Sequence, residues 1–146
     1  MKKTVFSLIF TMISACLLAQ ASQVFSTSDG AIKGYDPVAF FNAAKPVIGL
    51  KEYSYDWNGA KWYFSSNDNL NAFKANPEKF APQYGGYCAY GTSEGHKAPT
   101  QTDTWTIVDN KLYFNYNKNV QTEWKKDQKN RIEKADKNWP SIKDKP

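Results

Sequence analysis

From Lys51 to Asp56 the chain alternates, with Tyr53 and Tyr55 on one face and Glu52, Ser54 and Asp56 on the other, the period-2 pattern of a half-buried strand. Asn58-Gly59 separates this run from Lys61-Trp62-Tyr63-Phe64, and Asn-Gly between two such runs predicts a β-hairpin. A second hairpin follows the same logic at Trp105-Thr106-Ile107-Val108, Asp109-Asn110 and Leu112-Tyr113-Phe114. Between them, Ser66 or Asn67 caps a helix carrying Leu70 and Phe73, which Asn76-Pro77 ends before a short turn holding Phe80. Beyond the second hairpin, Val120, Trp124, Ile132, Ala135 and Trp139 recur at sums of three and four with charges between them. They predict an amphipathic helix broken near Gln128 and closed by Trp139-Pro140.

These elements predict a small single α+β domain: two β-hairpins forming an antiparallel sheet, a short helix after the first hairpin, and a C-terminal amphipathic helix. Its span is residues 34–140. Gly34-Tyr35-Asp36-Pro37-Val38-Ala39-Phe40-Phe41 opens it with a turn whose aromatics enter the core. Residues 22–33, polar and small, read as a flexible leader, and residues 141–146 as a polar tail.

Residues 1–21 read as a signal peptide, with Lys2 and Lys3 followed by an apolar stretch from Val5 to Ala19 and the small-x-small site Ala19-Gln20-Ala21. Export to the periplasm or medium is the expectation, with a soluble mature chain that has no transmembrane segment. A second reading takes Ile13-Ser14-Ala15-Cys16 as a lipobox that would anchor the chain through Cys16; Leu17-Leu18 beyond it favours the cleaved signal. The formal net charge is +5, and much of the basic excess lies from Lys118 to Lys145, interleaved with Glu123, Asp127, Glu133, Asp136 and Asp144 as on a solvated helix face. No nucleic-acid partner is expected.

Candidate chemistry centres on Cys88, the one cysteine an exported mature chain would keep, within Gly85-Gly86-Tyr87-Cys88-Ala89-Tyr90-Gly91. Its thiolate could serve as a metal ligand or redox nucleophile if Lys97 or His96 lies close and the thiol is accessible. The bland alternative is a buried cysteine acting as a small hydrophobe. His96, the single histidine, lies in a loop eight positions on. With Cys88 it would bind a soft or borderline ion such as copper, zinc or iron only if Asp103, Glu94, water or a second chain completed the site; otherwise it is a surface histidine. Tyr87 and Tyr90, with Tyr35, Trp62 and Tyr63, could line a small-ligand pocket, although 16% aromatics in so short a chain must largely form its core. Asp36 before Pro37 is a candidate ligand carboxylate or a residue bonding its own turn. There is no glycine-rich phosphate loop, no histidine-rich motif and no second histidine to build a conventional base–nucleophile pair.

The Asp-Pro-Val start, Trp62-Tyr63-Phe64-Ser65-Ser66 and Asn76-Pro77-Glu78-Lys79-Phe80 resemble the YHS domain family. The later stretches Gly85 to Gly91 and Trp105 to Asn117 resemble an exported bacterial branch of it, some of whose members are described as selenoproteins. The resemblance runs from about Gly34 to Trp139 and implies metal handling, because the family carries cysteines after Asp-Pro-Val and in a Phe-Cys-Ser-x-x-Cys phrase. Here those positions hold Ala39, Ser65 and Asn69, so the soft ligands for Cu(I) or Zn(II) do not carry over.

The leading expectation is an exported YHS-type binding module for a transition metal or small ligand, with Tyr87, Cys88 and Tyr90 at the ligand and Cys88 with His96 at any metal. A thiol-dependent redox enzyme using Cys88, and a structural or interaction domain with Cys88 in its core, are the alternatives.

Overall fold

A computed structural model describes residues 21–146. The signal-peptide stretch and the Cys16 lipobox reading, apart from Ala21 itself, lie outside the described residues. Strand β3 (Leu50–Trp57) pairs antiparallel with β4 (Ala60–Phe64), and β5 (Gln101–Val108) pairs with β6 (Lys111–Asn115), as the turn signals require. Asn58 and Gly59 (φ 51° and 75°) and Asp109 and Asn110 (φ 51° and 59°) supply the two left-handed residues of a type I′ turn, whose twist matches the flanking strands. The fold is α+β, and each hairpin pairs within itself as a separate two-stranded sheet.

The helices are α1 (Ala39–Asn42), α2 (Asn67–Ala75), α3 (Pro77–Phe80), α4 (Ala89–Ser93), α5 (Lys118–Lys126) and α6 (Gln128–Ile142). Ser66 caps α2 by accepting from the Asn69 N–H at 3.1 Å, and Asn117 caps α5 by accepting from Val120 N–H at 2.9 Å. The expected break falls at Asp127, where φ and ψ leave the helical region. Pro140 does not close α6; the helix runs through it to Ile142, which is buried where the sequence suggests a polar tail.

Two hydrophobic layers share strand β6. Phe73 centres the first, with ring centroids 5.1 Å from Phe64, 5.2 Å from Trp62 and 5.7 Å from Trp57. The second comprises Tyr84, Ala89, Tyr113, Trp124 and Ala135. The alternation of a strand sends Leu112 and Phe114 into the first layer and Tyr113 into the second, so β6 is buried on both faces.

The expectation of a flexible leader over residues 22–33 gives way here. Val24, Ala31 and Ile32 are buried in the first layer, a short hairpin forms between β1 (Ser26–Thr27) and β2 (Gly30–Ala31), and Phe25 N–H donates to Gly85 O at 2.9 Å. A few apolar anchors in a polar segment carry no periodicity, so composition alone reads as a loop.

Candidate functional site

Cys88 is the N-cap of α4 and is 2% exposed. Its sulfur accepts from the Gly91 N–H at 3.4 Å and the Tyr116 N–H at 3.3 Å, and its thiol donates toward Asn115 Oδ1 at 3.7 Å. Burial pushes the Cys88 thiol above its ordinary range, because an apolar surround disfavours the thiolate; the backbone N–H groups of Gly91, Tyr116 and Tyr90 oppose this shift. The thiol is therefore held neutral and satisfied, the opposite of the low-pKa, accessible state that nucleophilic cysteines need.

Neither basic group that could have activated it bonds the thiol among the described residues. Lys97 Nζ lies 5.0 Å from the Tyr87 ring centroid and donates to Ser22 O and Lys143 O, both at 3.2 Å. His96 is exposed, and a Cβ built at Gly91 would lie 3.3 Å from its Nε2; no hydrogen bond joins it to Cys88 among the described residues. Glu94 pairs with Arg131, and Asp103 is exposed, its carbonyl taken by Lys118. Among the described residues no group of three or more His, Cys, Asp or Glu side chains gathers as a metal site.

Tyr87 and Tyr90 have separate surroundings. The Tyr87 ring packs on Phe25 and Trp139, and its hydroxyl donates to Ser22 O at 3.0 Å, which ties Ser22 to the cysteine loop. Tyr90 is half-buried beside a pocket of about 380 Å³ that it lines with Asn119, Val120, Thr122 and Glu123. Arg131 lies over its ring at 4.0 Å and donates to its hydroxyl at 3.0 Å. The Tyr90 N–H donates to Asn115 Oδ1 at 3.2 Å, so one buried amide oxygen links the pocket wall to the Cys88 thiol. Asn115 Nδ2, fully buried, has no partner among the described residues. Trp62 is a core residue, and Tyr35 packs against the same layer. Tyr63 lines a different cavity with Ile48 and Lys51.

A second constellation was visible only in part from sequence. Asp36, wholly buried, accepts at Oδ1 from the N–H groups of Val38 (2.8 Å) and Ala39 (3.3 Å). At Oδ2 it accepts from Ser65 N–H (2.8 Å), the Ser65 hydroxyl (2.6 Å) and Asn69 Nδ2 (2.7 Å). Ala39 is thus a close neighbour of Ser65 and Asn69, although it lies far from both in sequence. The three positions where the resemblance places cysteines converge on one carboxylate.

Residues 45–84 match the family model of the YHS domain. The YHS match covers the β3–β4 hairpin, α2 and α3, and it ends before the Cys88 loop. No match emerges among curated proteins or among solved structures. A carboxylate with five donors, one hydroxyl and one amide offers no soft ligand and leaves Asp36 without unused acceptor positions, so the donor set does not fit Cu(I) or Zn(II). The burial of Asp36 is the feature that sequence reasoning missed; its signal was the pairing of an Asp-Pro turn with a Ser and an Asn at the family's cysteine positions.

Proposed function

We propose that this protein is an exported, non-catalytic YHS-type binding module that takes a small organic ligand at the Tyr90 pocket, with Cys88 as a buried support behind it. The linked set Tyr90–Asn115–Cys88 carries the reading: Asn115 takes both the thiol and the Tyr90 N–H, and retains an unused amide donor beside them. Tyr90 and Val120 give an apolar wall, while Asn119, Thr122 and Glu123 give polar handles, the usual build of a small-molecule site. The N-terminal charge and apolar pattern supports export to the periplasm or medium. Among the described residues no helix is long and apolar enough to cross a membrane.

The test combines thiol reactivity with ligand mapping on the folded chain. Labelling of Cys88 is expected only at the rate of unfolding, and Cu(I) or Zn(II) titration is expected to give equal results for wild type and Cys88→Ser. Small aromatic fragments are expected to move the Tyr90 and Val120 amide resonances. Fast labelling with a Cys88-dependent metal uptake would overturn the reading in favour of a metal or thiol site.

A further inference from the structure

A separate cavity of about 360 Å³ opens where three distant parts of the chain meet, at the end of β3 (Trp57), the loop before Cys88 (Pro82 and Tyr84) and α6 (Asp136 and Trp139). Its aromatic lining is Trp57, Tyr84 and Trp139, and Tyr84 and Trp139 lie at 6.0 Å with their planes at 62°. Its charged lining is Glu78 and Asp136 alone; no lysine or arginine borders it among the described residues, although the chain carries a net charge of +5. Neither carboxylate is in an ion pair among the described residues. The Tyr84 hydroxyl donates to Asp136 Oδ1 at 2.8 Å, which orients that carboxylate, and Oδ2 has no protein donor among the described residues. Tyr84 holds this position with a left-handed backbone (φ 57°), a conformation costly for a bulky residue.

We infer that this cavity is a binding site for a small organic ammonium ion, with the rings facing the alkylated cation and Asp136, assisted by Glu78, neutralising it. Aromatic faces carry negative potential and attract alkylammonium groups when water is partly excluded, and a fixed carboxylate supplies the net charge balance. An anionic ligand would be repelled by Glu78 and Asp136, and a neutral one would gain the apolar contact without the charge balance. The site lies apart from the Tyr90 pocket and does not depend on the function proposed for that pocket.

The experiment follows the indole signals of Trp57 and Trp139 by NMR in the full folded chain during titration with choline, with potassium at equal ionic strength as the control. Saturable shifts at both indoles with choline and none with potassium are expected. Asp136→Asn, which leaves Tyr84 an acceptor, should weaken binding about ten-fold while the chain stays folded, and Glu78→Gln should weaken it by a smaller factor. Shifts appearing only with phosphatidylcholine vesicles at the same headgroup concentration would support the cation chemistry and assign its source to a lipid headgroup. No shift with either, or shifts that Asp136→Asn and Glu78→Gln leave unchanged, would overturn the inference.

Discussion

Replacing Asp36 with Asn alters one atom of a wholly buried side chain and should nevertheless destabilise the protein markedly. If the amide oxygen keeps the N–H groups of Val38 and Ala39, the new NH₂ faces the Ser65 N–H and the Asn69 amide, two donors at 2.8 and 2.7 Å from the atom it replaces. The Ser65 hydroxyl can rotate to accept, and Asn69 is half-buried and can turn, but the Ser65 N–H cannot move. One orphaned buried donor costs about 1–3 kcal/mol, and losing the charge on the remaining bonds adds about 1 kcal/mol, so about 2–4 kcal/mol is expected. That is a large part of the 5–15 kcal/mol that typically holds a domain of this size together. Urea unfolding followed by tryptophan fluorescence should show the midpoint lowered by about 1–2 M at constant m value. Asp36→Ala should cost more, because three backbone donors lose their acceptor. A midpoint for Asp36→Asn within experimental error of wild type would refute the assignment of the carboxylate as the tie between the turn before α1, the end of β4 and the start of α2. A chelator that lowered the wild-type midpoint would refute it differently, by showing that a metal holds this place.

Four further outcomes are expected. Ala39, Ser65 and Asn69 all bond the Asp36 carboxylate and so gather at one point, and the triple variant Ala39→Cys, Ser65→Cys, Asn69→Cys should bind Co(II) with thiolate charge-transfer absorbance where wild type gives none. Gly85→Ala should cost at least about 2 kcal/mol and speed protease cleavage near residue 25, because a Cβ there would sit 1.8 Å from Gln23 O; an unchanged digestion pattern would argue against docking of that segment. Burial pushes the Tyr113 hydroxyl up to about 12 and the Tyr84 hydroxyl further, while an unfolded tyrosine ionises near 10. Folded-state pKa values above the unfolded ones stabilise below pH 10, and this stability is lost as pH rises from about 10 toward 12; phenolate absorbance at neutral-to-alkaline pH should therefore lag the count of tyrosines until unfolding. The raised Cys88 thiol acts in the same sense from about pH 9 upward, so labelling below that pH should track global unfolding in denaturant; labelling that outpaces unfolding would refute the neutral, buried thiol.

The regular elements were legible because their signals are local. Asn58-Gly59 and Asp109-Asn110 can adopt the left-handed turn by themselves, and Ser66 and Asn117 cap helices three residues away. What escaped the sequence is long-range. Asp36 finds Ser65 and Asn69 across 29 and 33 positions, and Tyr84 finds Asp136 across 52. The glycines around Cys88 also answer to distant parts of the chain: Gly85 admits the carbonyl of Gln23, and Gly91 admits the His96 ring. Pro140 marks a helix end in most sequences, yet here the last turn is held by Lys143 N–H donating to Trp139 O.

The two-sided burial of β6 has a consequence for cooperativity. A strand that lines both hydrophobic layers cannot leave one without opening the other, so the layers form one unfolding unit despite their separate side-chain sets. Amide hydrogens of Leu112, Tyr113 and Phe114 should exchange only through global opening, and Trp62 in one layer and Trp124 in the other should report a single shared midpoint.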